Sequence, residues 1–174
     1  SDLSDLGEDK SMRVLFTGGG TAGHINPALA VAGYLQKKEA DVEILYVGNR
    51  GGMEERLVKK AGYDMAFITI SGFQRKLTPK NIVRNFQTVG RIFTATAETK
   101  KIIQQFAPDV CVGTGGYVSG PVIREAAKMG IPCVIHESNA YPGVTTKMLS
   151  KLVKTVMLAV PDAKQYLDPS VNCT

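Results

Sequence analysis

The stretch VLFTGGGTAGHINPA, residues 14–28, decides the fold. A short apolar run stops at Gly18, Gly19 and Gly20, then resumes after His24 and Pro27 as an alanine-rich sequence of helical period. That order reads as a buried strand, a tight turn and a helix N-terminus. Glycines without a Cβ let a ligand approach the backbone, and the first N–H groups of a helix have no partner inside it. An anionic group, a phosphate above all, suits such a loop.

Spacing tests which anion. Gly18, Gly20 and Gly23 satisfy G-x-G-x-x-G after a strand, the dinucleotide pattern, which also asks for an acid about 20 residues further on. The second apolar run, residues 44–47, ends instead in Gly48-Asn49-Arg50. An NAD ribose finds no carboxylate there, although Arg50 offers a partner for a 2′-phosphate, so an NADP-dependent oxidoreductase stands as an alternative. A Walker-type phosphate loop fails, because His24 occupies the place of its lysine. At the helix mouth an imidazole can take a proton near neutral pH or hydrogen-bond a phosphate, and both roles stay open for His24.

The remaining chain alternates. Strands are predicted over residues 13–16, 43–47, 65–68, 110–112, 133–136 and 155–158, and helices over 27–38, 53–61, 82–106, 119–129 and 144–152. Short apolar strands separated by helices predict an α/β, Rossmann-like parallel sheet with helices on both faces and binding loops at the strands' carboxyl ends. Residues 161–169 are expected to leave the sheet. GTGGYVSG, residues 113–120, is a second loop of the same design, so two glycine loops on one edge can line a cleft for a diphosphate. His136-Glu137-Ser138-Asn139 ends the fifth strand; His136 reads as a supporting residue, and Glu137 and Asn139 as better candidates for the cleft.

Four segments, in order, resemble the MurG family of peptidoglycan glycosyltransferases: GGGTAGHINPA at 18–28, ISGF at 70–73 near Arg75 and Lys76, GTGGYVSGP at 113–121, and HESN at 136–139 with Pro142-Gly143. Ala22 stands where many members have glycine. The resemblance implies the N-terminal half of a GT-B glycosyltransferase that moves N-acetylglucosamine from UDP-N-acetylglucosamine to the muramyl sugar of lipid I, forming lipid II, with inversion and without a metal or cofactor. It implies His24 as general base and Glu137 as a second catalytic-site residue that binds or orients the acceptor. Thr21, Ala22, Gly23 and Asn139 are then expected to contact the donor. Gly19, Gly20, Gly115, Gly116, Tyr117 and Ser119 are expected to hold the acceptor diphosphate. A C-terminal domain carrying most of the nucleotide site is expected beyond Thr174, leaving residues 12–174 as an acceptor-binding domain inactive alone. A stand-alone acceptor-binding subunit of a split glycosyltransferase is the other arrangement.

The chain has 174 residues, enough for one domain with a sizeable core, and a net charge of +5. Residues 1–11 hold four acids and one lysine, read as an expression remnant or disordered leader, and without them the charge is +8. That excess suits either a plain basic protein or attraction to an anionic surface. Residues 71–93 combine Lys76, Lys80 and Arg84 with Ile82 and Phe86 at helical spacing, a face for the protein's own core or for anionic lipid. No apolar run approaches the roughly 18 residues of a membrane span and no signal peptide is recognised. The expectation is a peripheral protein on the cytoplasmic face of the cell membrane, with no nucleic-acid partner. Neither C-x-x-C nor H-E-x-x-H spacing occurs, so no metal site is expected and Cys111, Cys133 and Cys173 read as reduced thiols.

Overall fold

The structure is a computed structural model in which residues 10–70 and 95–174 are described. Strands β1 (Arg13–Thr17), β2 (Glu43–Asn49), β3 (Asp64–Ile68), β4 (Val110–Gly113), β5 (Cys133–Glu137) and β6 (Thr155–Leu158) form a parallel sheet in the order β3-β2-β1-β4-β5-β6. The helices are α1 (Ala22–Lys38), α2 (Met53–Ala61), α3 (described over residues 95–106), α4 (Ser119–Lys128) and α5 (Val144–Leu149).

Alternation along β1 builds both layers. Val14 and Phe16 face one side with Ile25 and Ala28 of α1 and Val58 of α2, whereas Leu15 faces the other with Ile103, Val122 and Ile123. Phe16, Leu15 and Tyr46 are 0% exposed, and each such side chain contributes about 1.5–3 kcal/mol by leaving water. The chain runs outward from β1 through β2 to β3, then returns to β4 on the other side of β1, in register Val14↔Val110 to Thr17↔Gly113. The order reverses there, so the loops after β1 and β4 open side by side over the crevice where such sheets bind ligands. This is the Rossmann-like architecture expected from the sequence.

Beyond shifts of one or two residues at other element ends, three differences have physical reasons. Helix α1 starts at Ala22 rather than Pro27, because the Thr21 carbonyl accepts the N–H groups of His24 and Ile25 at 3.1 and 3.2 Å. Pro27 therefore lies inside the helix, where it cannot donate to Gly23. The Ser138 hydroxyl bonds the Gly23 carbonyl instead, at 3.4 Å. Helix α5 stops at Leu149 rather than Leu152, with the Ser150 hydroxyl on the Lys147 carbonyl and a turn closed by Leu152 on Leu149. Beyond β6 a 3-10 helix (Pro161–Tyr166) leads back to the sheet, where Val156 pairs with Cys173, so residues 161–169 are a detour and not an exit.

Ser11, the last residue of the expected leader, donates to Glu43 at 2.6 Å. The segment holding Lys76, Lys80, Ile82, Arg84 and Phe86 lies outside the described residues. Among the described residues no helix is long and apolar enough to cross a membrane.

Candidate active site

The first glycine loop is wired through its peptide planes. In the Gly18–Gly19 peptide, the carbonyl accepts the Tyr46 hydroxyl at 2.8 Å and the N–H donates to Gly115 at 3.1 Å. In the Gly19–Gly20 peptide, the carbonyl lies 3.0 Å from His24 Nδ1 and the N–H donates to the Glu54 carboxylate at 3.1 Å. Burial, and then the charge of Glu54, push the Tyr46 hydroxyl up from its ordinary range, which keeps it a donor. Gly19 and Gly20 were expected to hold a diphosphate, but their N–H groups are already committed inside the protein. Among the described residues, the N–H groups of Thr21, Ala22 and Gly23 have no internal acceptor, and these residues are exposed at the start of α1. They are the unpaired donors at the helix mouth, a position that favours an anion.

The second loop is locked against the first. Gly115 and Gly116 have φ of +114° and +86°. A Cβ on Gly115 would lie 2.7 Å from the His24 ring, and one on Gly116 would lie 2.3 Å from the Gly19 carbonyl oxygen. Thr114 donates its hydroxyl to the His24 carbonyl and its N–H to Thr17. Ser119, expected near the diphosphate, is 1% exposed and its hydroxyl bonds Gly116 at 3.0 Å, so it shapes the loop from behind. Tyr117 stands 57% exposed at the loop tip, free to meet a ligand.

His24 is half-buried between these loops. A carbonyl oxygen can only accept, so the contact to Gly19 is a hydrogen bond when Nδ1 carries the proton, and in that neutral tautomer the lone pair is on Nε2. Nε2 lies beside Gly115, 3.1 Å from where a Cβ would stand. The ring thus presents a proton acceptor at the junction of the two loops.

Glu137 is placed differently from the expectation. It is 4% exposed, and its carboxylate accepts four hydrogen bonds: the Asn139 N–H and side-chain amide, the Gly143 N–H and the Thr146 hydroxyl. Burial alone would raise its pKa, but these donors outweigh it and hold the carboxyl below its ordinary range. A carboxylate with its lone pairs so engaged holds its neighbours in place. What it positions is Asn139: the amide nitrogen is clamped at 2.8 Å, which leaves the carbonyl oxygen of an exposed side chain for a ligand. His136 borders a cavity of about 10 Å³, room for about one water. Burial lowers its pKa, opposed in part by Glu137, and its buried Nδ1 has no hydrogen-bond partner among the described residues.

Glu54, Tyr46, Thr114 and Ser138 escaped the sequence reading, and Glu54 matters most. It is 1% exposed and bonds Gly20 and Asn49 N–H groups at 3.1 and 2.8 Å. Arg50, the residue offered to a 2′-phosphate, lies over the Phe67 ring at 4.7 Å. Among the described residues no three His, Cys, Asp or Glu side chains are grouped to hold a metal.

A doubly wound sheet whose switch-point loops enclose an imidazole matches the N-terminal half of a GT-B glycosyltransferase. The chain belongs to glycosyltransferase family 28, whose N-terminal-domain model matches residues 14–158. It is 47% identical over 155 residues to the UDP-N-acetylglucosamine–N-acetylmuramyl-(pentapeptide) pyrophosphoryl-undecaprenol N-acetylglucosamine transferase of Acetivibrio thermocellus, covering 89% of this chain and 41% of that one. It is 49% identical over 152 residues to the enzyme of the same name from Desulfitobacterium hafniense, covering 87% and 40%. The crystal structure of Acinetobacter baumannii MurG superposes with a TM-score of 0.77 at 33% identity, over 94% of this chain and 45% of that one. The chain thus spans about two fifths of the length of the curated relatives it matches. The family match sets the dinucleotide-dependent oxidoreductase aside.

Proposed function

We propose that this chain is the acceptor-binding half of an inverting transferase that moves N-acetylglucosamine from UDP-N-acetylglucosamine to the muramyl sugar of lipid I, forming lipid II. The observation that carries this reading is His24: its Nδ1 is engaged by the Gly19 carbonyl, leaving Nε2 to take a proton. In the reaction the acceptor hydroxyl attacks the anomeric carbon, its proton passes to Nε2, and the bond to UDP breaks. The N–H groups of Thr21, Ala22 and Gly23 receive diphosphate charge, Asn139 presents its carbonyl oxygen to a sugar hydroxyl, and Tyr117, Gly115 and Gly116 flank the acceptor. A C-terminal domain supplies most of the nucleotide site, so the chain alone binds without turnover. Its working place is the cytoplasmic face of the membrane as a peripheral protein, and Lys76, Lys80, Ile82, Arg84 and Phe86 supply the basic and apolar residue types that anionic lipid attracts.

The test is UDP release from UDP-N-acetylglucosamine and a soluble lipid I analogue by the two-domain enzyme carrying this half. His24→Ala is expected to lower turnover by about two to four orders of magnitude at matched folding. Turnover unchanged in that variant overturns the base role. No turnover in the unmodified enzyme overturns the reading as a whole.

A further inference from the structure

Glu54 is buried, reaches into the first glycine loop from the start of α2, and plays no part in the reading above. Its carboxylate sits in a cradle that only glycines permit. A Cβ on Gly19 would lie 2.5 Å from the carboxyl carbon, one on Gly52 2.7 Å from it, and one on Gly48 2.6 Å from Cγ. From that cradle one oxygen accepts the Asn49 N–H and the other the Gly20 N–H.

The second bond has a consequence for His24. The N–H of Gly20 and the C=O of Gly19 belong to one peptide unit, a planar and conjugated group. Its N–H end meets Glu54 at 3.1 Å and its C=O end meets His24 Nδ1 at 3.0 Å. The chain of contacts is therefore carboxylate, peptide, imidazole. Hydrogen bonds in series polarise one another, and an anion at the N–H end increases the negative charge on the carbonyl oxygen.

We infer that Glu54 is a positioning residue for His24, acting through the Gly19–Gly20 peptide to hold the imidazole in its Nδ1–H form. The catalytic meaning rests on His24 as base; the coupling between Glu54 and His24 does not.

Nitrogen NMR of the 174-residue chain labelled at histidine reads the tautomer directly, and with two histidines in the sequence a His24→Gln spectrum assigns both. Measurements well above the ordinary histidine pKa range keep the ring neutral. In the wild type His24 is expected almost wholly as Nδ1–H. Glu54→Gln keeps the volume but turns an NH2 toward one of the two N–H donors, and the ratio of Nδ1–H to Nε2–H at His24 is expected to fall about fivefold. A wild-type ring in the Nε2–H form, or an unchanged tautomer in a folded Glu54→Gln chain, overturns the inference. If Glu54→Gln does not fold, hydrogen exchange in the wild type decides. A Gly20 amide protected relative to those of Thr21 and Ala22, together with Nδ1–H at His24, supports the coupling, and equal exchange overturns it. UDP release unchanged in His24→Ala removes the base role and leaves the tautomer result standing, so the two failures are distinguishable.

Discussion

Replacing Gly116 by alanine tests the interlock of the two loops. Two terms set the size of the effect. Gly116 has φ +86°, and a side chain in that left-handed region costs about 1–2 kcal/mol. Its new Cβ would also stand 2.3 Å from the Gly19 carbonyl oxygen and 3.1 Å from the carbonyl carbon, which are backbone atoms that cannot swing away. Relief requires one loop to shift, and forced overpacking costs a further 1–3 kcal/mol or so. Gly62 isolates the first term, since its φ is +88° and nothing lies within 4 Å of its Cβ position. Gly62→Ala should therefore cost about 1–2 kcal/mol and Gly116→Ala about 2–5 kcal/mol, against a total stability on the order of 5–15 kcal/mol. For a chain of this size that is a melting point lower by about 2–8 °C and about 4–20 °C respectively. Gly120→Ala, in α4 with no neighbour within 4 Å, should be stabilising by about 0.5–1 kcal/mol. Thermal and urea unfolding followed by circular dichroism give all three. A Gly116→Ala chain no less stable than Gly62→Ala would refute the claim that the loops are packed backbone against backbone.

Other outcomes follow from single contacts. Because the folded Glu137 pKa lies below its ordinary value of 4.5, its contribution is present above that value and lost as pH falls through the lower folded one. Urea midpoints should therefore show Glu137→Gln clearly less stable than wild type at pH 7, by about 1–3 kcal/mol, with the gap narrowing in acid. Ser138→Ala should cost roughly 0.5–1 kcal/mol in the wild type but nothing in a Pro27→Ala background, where residue 27 regains an N–H for Gly23; a zero coupling in that double-mutant cycle would deny the compensation. Hydrogen bonding to Cys133 and burial push the Cys111 thiol up, and both residues are at most 1% exposed, so a thiol reagent should reach Cys173 first and the other two only on unfolding.

Most of the fold was legible in the sequence because short apolar runs with glycine at their ends leave few other readings. The β6 range and that of α2 agree with the structure to the residue. The start of α1 was not legible, since proline is favoured at a first helical position and Pro27 was read as marking one. What allows it inside the helix is a hydroxyl from Ser138, 115 positions away from the carbonyl it bonds. Such a partner has no local signature. Glu137 had a signature that was passed over. Side chains alternate along a strand, so Glu137 shares a face with Cys133 and Ile135, and all three are buried. Alternation therefore points Glu137 inward.

Glu54 was hidden for a different reason. It is followed by Glu55, which pairs with Lys59 at 2.7 Å across one helical turn, and two acids in a first turn are accounted for by the helix dipole without any inward role. Yet its position explains why a G-x-G-x-x-G loop here does not serve a dinucleotide. That pattern uses an acid at the end of the second strand to bind a ribose from outside. In this chain the nearest carboxylate comes five residues after Asn49 and turns into the loop, taking the N–H groups of Asn49 and Gly20. A ligand anion approaching the inner glycines would meet that fixed carboxylate and no free donor. The donors that remain are those of Thr21, Ala22 and Gly23, one step outward at the helix mouth and within a few residues of His24. The substitution of an internal carboxylate for an external one moves the unpaired N–H donors from the loop to the helix end, the side on which the imidazole stands.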